Sequence, residues 1–416
     1  MERKQGFWTP TNILVATYTF CWGFAALDRL LIAMLFPFVI PYFHMDFAQA
    51  GLVMTCMSVV YLIMASLGGA LSDKYGRKKV ILPSVIIFSL CSFLTGLATN
   101  FAALIGIRSV IGGAEGAFYT SGGAQIAEQS PNESRGTAIG IYNSAFPLFG
   151  AALAPIYATY VASHWGWQWA CYLTIIPGAI LAFVISTRVQ DTHAAVGQRA
   201  AGAPPKVPWR VVFKDKNVSL SALIGATWFV WLWSWLSFGM LFFTKIRGMS
   251  PASAGLMIAA MGIGGCVGGV LMAKISDTVG RKPTMIIGTL IGIAGTLVVL
   301  LIPSLPFAAI GIVLFVTATA TWGNAPLFLQ VIPSDCVSRE HLAKTIGIVV
   351  SIGEFVGIAV APPILGAIGD KWGLNTTMLA GVASLVLTFL LGFALRESYP
   401  KAQAKREMQM ATAARS

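Results

Sequence analysis

The chain has 416 residues, of which 56% are hydrophobic and only 11% are charged, and its formal net charge is +12. A mean hydropathy of +0.75 excludes a water-soluble globular protein, which needs about 25% charged residues to cover its surface. The basic residues lie in short segments between apolar runs, a distribution that indicates membrane topology and excludes a nucleic-acid-binding patch.

Twelve mostly apolar stretches follow one another along the chain, and each approaches the roughly 20 residues that a membrane-spanning helix needs. We predict spans at residues 12–40, 47–72, 80–99, 101–129, 136–162, 168–187, 217–244, 252–276, 283–302, 306–332, 344–369 and 374–395. The first stretch is too long for the core of a signal peptide and lacks a small-residue cleavage pattern. It is therefore predicted as the first membrane span.

The longest polar interruption, 188–216, contains three prolines and six Lys or Arg residues. This composition predicts a cytoplasmic linker between an N-terminal bundle, 1–187, and a C-terminal bundle, 217–395. The polar segment 396–416 is predicted to be a solvated cytoplasmic tail. The predicted fold class is therefore an all-α membrane protein with twelve transmembrane helices in two six-helix bundles.

The distribution of basic residues predicts the orientation of the chain. With both termini in the cytoplasm, 23 Lys and Arg residues fall in cytoplasmic segments, 3 on the opposite side and 2 within helices. Cytoplasmic loops of membrane proteins carry such an excess of positive residues. We therefore expect both termini to be cytoplasmic and the helices to be surrounded by a lipid bilayer.

Sequence motifs recur in the two halves at nearly constant offsets. The segment 73–78, Asp-Lys-Tyr-Gly-Arg-Lys, corresponds to 277–282, Asp-Thr-Val-Gly-Arg-Lys, 204 residues later. A second offset, of 207 residues, relates Pro155 to Pro362. The repeat predicts two pseudo-symmetric, parallel halves with a substrate site near the middle of the bilayer.

This loop motif and its repeat resemble the signature of the major facilitator superfamily, and the resemblance covers the whole chain. Charge pairs in a loop are easily remade when two halves rock against each other. We therefore predict gating ion pairs, which we call latches, between Asp73 and Arg77 and between Asp277 and Arg281. The alternative is that these basic loops only set the topology.

Five ionisable residues lie deep inside the predicted spans: Asp28, Arg29, Arg108, Glu115 and Glu354. An unpaired charge at the bilayer centre costs at least about 2.5 to 3.5 kcal/mol, so such residues are candidates for function. The alternative is that they only lock helices together. For Glu354 the two explanations are evenly balanced, because no intramembrane cation is evident near it in the sequence.

Arg108 and Glu115 are seven residues apart, so they lie on one face of the fourth span about 10 Å from each other. The first and fourth spans enter the membrane from opposite sides, which brings Asp28 to a depth similar to that of Arg108. We therefore predict an ion pair between Asp28 and Arg108. Arginine keeps its charge and presents a planar fork that fits a carboxylate, so Arg29 and Arg108 predict an anionic cargo.

Proton coupling is predicted to depend on carboxylates, because all four histidines fall in loops: His44, His164, His193 and His341. The best candidates are Asp28 and Glu115, and Glu354 is a weaker one. With Asp28 and Glu115 ionised, the four charges of the N-terminal half sum to zero. One proton would then balance a bound monoanion, and two protons would make its transport electrogenic.

The intramembrane charges also narrow the family, since the sequence resembles the anion:cation symporter family in three segments, 27–29, 108–116 and 135–144. That family includes bacterial galactonate, hexuronate and aromatic-acid permeases and the vesicular glutamate and sialic acid carriers. The resemblance implies proton-driven uptake of an organic anion. It also implies that Asp28 and Glu115 titrate and that Arg29 or Arg108 holds the cargo carboxylate.

Further cargo contacts follow from the same resemblance, since Tyr61 and Trp322 fall where such permeases place cargo-binding residues. The vesicular members carry a histidine in the second helix that this sequence lacks, so a bacterial uptake permease of the inner membrane is favoured. Asn143 and Ser351 are polar residues at mid-membrane depth and are candidates to bind cargo hydroxyl groups. Hydrogen bonds between helices are an equally good explanation for both.

Three tryptophans in the seventh span, Trp228, Trp231 and Trp235, share one helix face because they are spaced i, i+3 and i+7. Their rings can stack on an aromatic cargo. Packing against other helices is the commoner role for such residues. Both explanations therefore stay open at the level of the sequence.

Two other classes of protein compete with an anion importer. A proton-coupled drug or metabolite antiporter also uses intramembrane acids, but it has little use for two buried arginines. A membrane enzyme is disfavoured, because we find no nucleophile with a neighbouring base, no metal-ligand cluster and no appended soluble domain. We expect no cofactor other than coupling protons, no nucleic-acid partner and a monomeric protein.

Overall fold

The computed structural model describes residues 9–131, 134–190, 213, 215–337 and 342–399. Every regular element within these residues is a helix. Eleven of the described helices are long and apolar enough to cross a membrane, and a twelfth apolar helix, Phe307–Thr321, is shorter. The predicted all-α fold with twelve spans is therefore confirmed.

The helices of the first half are α1 (Pro10–Met34), α2 (Phe47–Tyr75), α3 (Arg77–Thr95), α4 (Phe101–Gln129), α5 (Thr137–Trp165) and α6 (Trp167–Arg188). Those of the second half are α7 (Lys216–Ile246), α8 (Pro251–Val279), α9 (Arg281–Leu301), α10 (Phe307–Thr321), α11 (Thr345–Trp372) and α12 (Leu374–Ala394). The predicted first span, 12–40, is divided, because α1 ends at Met34 and a separate short helix, Phe36–Phe43, follows it.

Most of the predicted linker and tail lies outside the described residues, since the description stops at 190, resumes continuously at 215 and ends at 399. The chain divides into two compact units. One unit is Met1–Ala203 with Gly239–Ala259, and the other is Pro204–Phe238 with Ala260–Ser416.

Several helices begin where the sequence supplies a side chain to cap them. The hydroxyl of Thr9 accepts the backbone N–H of Asn12 before α1, and Pro10 occupies the first helical position. Asp46 and Gln49 form a reciprocal capping box at the start of α2. These local bonds satisfy backbone N–H groups that have no partner within the helix, so they help fix where the spans start.

The sequence repeat is also a repeat of backbone conformation. Gly76 between α2 and α3 has φ 108°, and its counterpart Gly280 between α8 and α9 has φ 113°. A side chain disfavours such a positive φ, so a glycine is needed at this sharp turn in both halves. The predicted internal repeat therefore extends to the geometry of the loop.

Two π-helical segments occupy matching places in α5 and α11. They run from Phe146–Leu153 and from Phe355–Val360, and each is followed by a proline, Pro155 or Pro362. Proline lacks the backbone N–H of a regular helix and clashes with the preceding turn. The locally wider π-helix accommodates this defect, and such segments are common at functional sites.

Candidate transport site

The predicted ion pair between Asp28 of α1 and Arg108 of α4 is confirmed, with Arg108 Nη1 lying 3.2 Å from Asp28 Oδ2. Both residues are at most 3% exposed. Arg108 also donates through Nη2 to the backbone carbonyls of Asp28 and Arg29, at 2.9 and 3.1 Å. One guanidinium therefore joins α4 to both the side chain and the backbone of α1.

A second ion pair crosses between the same two helices, and the sequence did not predict it. Arg29 Nε donates to Glu115 Oε2 at 3.1 Å. Glu115 is fully buried and Arg29 is nearly so. The structure thus brings the four deep intramembrane charges of the N-terminal half into one cluster, in which each acid faces an arginine of the neighbouring helix.

The predicted cargo residue Tyr61 lies against this cluster. The guanidinium carbon of Arg29 is 3.7 Å from the centroid of the Tyr61 ring and 5.6 Å from that of Trp22. An aromatic face attracts a cation through its quadrupole. Arg29 is therefore held between the carboxylate of Glu115 and two rings, a contact set quite different from that of Arg108.

Close packing of α2 on α4 positions these groups. A Cβ atom added at Gly112 would collide with the carbonyl oxygen of Met57, and one at Gly116 with the carbonyl oxygen of Tyr61. The absence of these atoms lets the two backbones approach each other. It brings the sulfur of Met57 within 3.1 Å of Arg108 Nη2.

Sequence reasoning missed two hydroxyl groups at this cluster. Ser92 of α3 donates to Asp28 Oδ1, and Thr174 of α6 lies 2.8 Å from Ser92 Oγ. Both residues are buried. A serine or threonine in an apolar helix is common, and the sequence offers no signal that distinguishes these two from others.

Asn143 of α5 is exposed, and it connects to the rings near Arg29. Its Oδ1 accepts the hydroxyl of Tyr119 at 3.2 Å. The Tyr119 ring stacks on Tyr142 with centroids 5.8 Å apart and lies 6.4 Å from the ring of Tyr61. Asn143 therefore takes part in an interhelical hydrogen bond, which is the alternative that the sequence left open.

The remaining predicted cargo and proton residues, Trp322, Ser351 and Glu354, belong to the other unit. Trp322 is buried, and a Cβ atom at Gly265 would lie 2.7 Å from its ring, so the indole packs closely on α8. Ser351 is exposed. Glu354 is half-buried and directly precedes the π-helical segment Phe355–Val360.

The tryptophans of α7 are packed inside the same unit. The indole N–H of Trp228 donates to the Thr321 carbonyl at 3.0 Å, and that of Trp231 donates to Thr296 Oγ1 at 3.1 Å. Trp235 is fully buried. These contacts favour the packing explanation for the three rings.

The ion pair predicted for the first latch is present, since Arg77 Nη2 is 2.5 Å from Asp73 Oδ1. Arg77 also donates from Nη2 to Glu128 Oε1 at 2.8 Å and from Nη1 to Ser72 Oγ at 2.5 Å. Glu128 lies at the end of α4 and was not predicted. The Arg77 side chain is thus shared among three helices.

The second latch has the same plan, with Arg281 Nη1 at 2.5 Å from Asp277 Oδ1 and Arg281 Nε at 3.6 Å from Asp335 Oδ2. Burial raises the pKa of the Asp335 carboxyl, although Arg281 and a hydrogen bond from Ser398 act in the opposite direction. Asp335 follows Glu128 by 207 residues. The second acid of each latch therefore obeys the repeat as well.

The C-terminal segment completes the second latch. The Glu397 carboxylate accepts the backbone N–H groups of Arg281 at 3.0 Å and Lys282 at 3.1 Å, which are the first two residues of α9. Ser398 Oγ donates to Asp335 Oδ2 at 3.0 Å. The first residues after α12 therefore bind directly to the loop motif.

Comparison with known families identifies the superfamily to which this chain belongs. The family model described as the Major Facilitator Superfamily matches residues 18–362. The chain belongs to the major facilitator superfamily. It is accordingly a multi-pass membrane transporter and not an enzyme.

Several superfamily members from bacteria are similar to this chain over most of their length. A protein named "Probable 4-methylmuconolactone transporter" from Cupriavidus pinatubonensis is 26% identical, over 88% of this chain and 85% of that protein. The hexuronate transporter of Bacillus subtilis is 26% identical, over 85% and 87%. The gentisate transporter of Corynebacterium glutamicum is 24% identical, over 79% and 75%. These names agree with the anion:cation symporter resemblance.

Solved structures of the superfamily share this fold. A bacterial homologue of the human lysosomal transporter Spinster, crystallised inward-facing and unoccupied, has a TM-score of 0.78 at 18% identity and covers 94% of this chain and 97% of its own. A variant of the nucleoside transporter NupG has a TM-score of 0.71 at 16% identity, with coverages of 93% and 99%. At these identities the likeness concerns the fold alone.

Proposed function

We propose that this transporter imports a small organic anion, such as a sugar acid or an aromatic acid, together with protons by alternating access. The observation that carries the proposal is the pair of buried ion pairs between α1 and α4, Asp28 with Arg108 and Arg29 with Glu115. Buried charges are tolerated when they are paired, and these pairs contain two fixed cations and two acids that can take up protons.

Charge balance links cargo to protons in this cluster. Two arginines and two ionised acids sum to zero, and an arriving carboxylate would leave an uncompensated negative charge in a buried site. Protonation of an acid removes that charge. Binding of the anion and binding of a proton therefore favour each other, which is the thermodynamic requirement for symport.

Of the two arginines, Arg29 is the one we assign to the cargo carboxylate. Arg29 forms its ion pair with Glu115, and protonation of Glu115 would weaken that pair. A carboxylate of the cargo can then replace Glu115 beside the guanidinium. Tyr61, whose ring lies under Arg29, is placed to contact the rest of the cargo.

Arg108 has a different role in the proposal. Its guanidinium bonds to the Asp28 side chain and to two carbonyls of α1, so cargo could bind it only by breaking several buried hydrogen bonds. Arg108 therefore holds α1 against α4 and keeps a positive charge beside Asp28. Asp28 and Glu115 carry the coupling protons.

Names of relatives support the cargo class, since they include transporters of hexuronate and gentisate, both organic acids. The proposal also places the chain in a bacterial inner membrane, as a monomer with cytoplasmic termini. In that orientation, the latches around Arg77 and Arg281 act at the cytoplasmic gate. Glu354 remains a candidate third proton site.

Uptake by purified protein in proteoliposomes tests the proposal. A hexuronate, gentisate and an apolar organic cation are offered while the pH gradient and the membrane potential are imposed separately. We expect uphill uptake of a carboxylate when the outside is acidic, and loss of that uptake when a protonophore is added. Proton-driven movement of the cation without movement of either acid would instead support the drug antiporter.

A further inference from the structure

A chain of hydroxyl groups leads away from Asp28 on the side opposite Arg108. Ser92 Oγ contacts Asp28 Oδ1, and Thr174 Oγ1 lies 2.8 Å from Ser92 Oγ. Thr174 Oγ1 also lies 2.7 Å from the backbone carbonyl of Cys171. The chain therefore connects a carboxyl of α1 through α3 to the backbone of α6.

The hydrogen bonds along this row of hydroxyl groups can run in two directions, because the number of protons is limited. Each hydroxyl has one proton to donate, and the Cys171 carbonyl can only accept. When Asp28 is ionised, Ser92 must donate to it, so Thr174 must donate to Ser92 and not to Cys171. When Asp28 is protonated on Oδ1, its O–H group donates a hydrogen bond to Ser92. Ser92 then donates to Thr174, and Thr174 donates to the Cys171 carbonyl.

One observation identifies Oδ1 as the oxygen of Asp28 that binds the proton. Another shows that both hydrogen bonds must change direction together. Asp28 Oδ2 already accepts from Arg108 Nη1, so a proton on Oδ2 would face a cationic donor. A mixed arrangement, in which Ser92 donates to Asp28 and Thr174 donates to Cys171, leaves no proton between two oxygens 2.8 Å apart. Ser92 and Thr174 therefore have to reverse together.

We propose that Ser92 and Thr174 form a two-state relay that reports the protonation state of Asp28 to α6. Both are positioning residues, since neither contacts cargo in the proposed mechanism. The inference rests on the proposed function in one respect, because it takes Asp28 as a proton-binding group.

The receiving end of the relay lies at a break in α6. The regular helix stops at Tyr172 and resumes at Ile175, so Thr174 occupies the junction between the two segments. The backbone N–H of Thr174 reaches the Cys171 carbonyl at a long 3.3 Å. A hydroxyl bond to that carbonyl strengthens the junction when Asp28 is protonated and is withdrawn when Asp28 is ionised.

Other charged or titratable groups within electrostatic reach of Asp28 come from five helices: Arg29, Cys91, Arg108, Glu115, Tyr157 and Cys171. The arginines remain charged at any working pH. Glu115 is the other carboxylic acid among them. An experiment on the relay must therefore separate the signal of Asp28 from that of Glu115.

Infrared difference spectroscopy of the purified protein in lipid provides this separation without any transport. A carbonyl band of a protonated carboxylic acid is assigned to Asp28 if it is absent in Asp28→Asn. The intensity of this band is then measured against pH in wild type, Ser92→Ala and Thr174→Val. Ser89→Ala is the matched control, because Ser89 lies one turn away on α3 and its hydroxyl bonds to the Val85 carbonyl.

The relay predicts shifts in opposite directions. Ser92→Ala removes a donor to the ionised carboxylate and should raise the pH midpoint of the band by about 1 unit. Thr174→Val removes the acceptor that Ser92 needs only when Asp28 is protonated, so it should lower the midpoint. Ser89→Ala should leave it unchanged. Equal shifts of one sign in Ser92→Ala and Thr174→Val, or no shift in either, would overturn the relay.

Hydrogen exchange tests the receiving end. Exchange of the amides in segment 171–176, corrected for its intrinsic pH dependence, should be faster above the Asp28 midpoint in wild type and independent of pH in Asp28→Asn. No change across the midpoint in wild type would refute transmission to α6. Opposite midpoint shifts without proton-driven uptake would support the relay and reject the proposed function. Proton-driven uptake without midpoint shifts would support the proposed function and reject the relay.

Discussion

Arg29 and Arg108 have the same side chain and similar burial, yet their surroundings differ. The pairing of Arg108 with Asp28 could be predicted, because helix rise places the two residues at one depth. The pairing of Arg29 with Glu115 could not, because it depends on side-chain direction. Side chains on a helix lean toward its N-terminus, and α1 runs antiparallel to α4, so Arg29 reaches the deeper acid.

Arg108→Ala should strongly destabilise the protein, because it leaves the Asp28 carboxylate buried beside Ser92 without its cation. Removing one partner of a buried pair typically costs about 3 to 5 kcal/mol. Thermal unfolding in detergent measures the loss. The double variant with Asp28→Asn should recover part of it, and additive losses would show that the two residues do not stabilise each other.

Glu115→Gln should abolish uphill accumulation of the anion while leaving exchange of internal for external cargo intact. The amide can neither release nor bind the coupling proton, but it still lets cargo approach Arg29. Counterflow and pH-driven uptake are measured in the same proteoliposomes. Persistent uphill uptake in this variant would assign the proton elsewhere, and Glu354→Gln, assayed in parallel, would test the other candidate.

At the scale of helices, the contact between α2 and α4 depends on missing side chains. Gly112→Ala would push a Cβ atom against the Met57 carbonyl, and overpacking of this kind costs about 1 to 3 kcal/mol. Gly106→Ala is the matched control on α4, because nothing lies within 4 Å of its added Cβ atom. We expect Gly112→Ala to lower the unfolding temperature and Gly106→Ala to leave it equal or higher.

The second latch should respond to pH through Asp335. Its folded-state pKa is raised by burial, so the folded protein binds this proton more tightly than the unfolded chain does. Stability contributed by Asp335 is therefore greatest at low pH and is lost as the pH rises through the raised pKa. The measurement compares the unfolding temperatures of wild type and Asp335→Asn from about pH 4, near the ordinary carboxyl value, to neutrality. We expect the unfolding temperature of wild type to fall relative to that of the variant as the pH rises.

An opposite trend, with wild type gaining on Asp335→Asn as the pH rises, would mean that the Arg281 ion pair outweighs burial. Neither Asp335 nor Glu397 could be recognised from the sequence as part of this latch. Asp335 stands far from the motif in the chain, and only the folding of the segments after α10 and after α12 brings both acids to Arg281.

For the whole molecule, composition and the two repeat offsets were enough to predict twelve helices and their fold class. The interruptions within the spans were not predicted. The break after Met34 and the π-helical segments of α5 and α11 depend on local backbone geometry, whereas the hydropathy that locates a span is averaged over about 19 residues.

Transport by the whole molecule should respond to voltage. If Asp28 and Glu115 each carry a proton with one monoanion, one net positive charge crosses per cycle, and 100 mV contributes about 2.3 kcal/mol. An inside-negative potassium diffusion potential should then drive uptake without a pH gradient. Uptake that ignores the potential but follows the pH gradient would indicate one proton for each monoanion.

The buried charge cluster also bears on how the protein is made. Asp28 and Arg108 are separated by 80 residues, so at about 5 to 20 residues per second the ribosome takes roughly 4 to 16 s to supply the partner. During that interval α1, which is the least apolar of the eleven long spans, carries two charges whose partners on α4 have not yet been synthesised. The nascent first helix therefore needs shelter from lipid, at the insertion machinery or the membrane surface, until the fourth helix is complete.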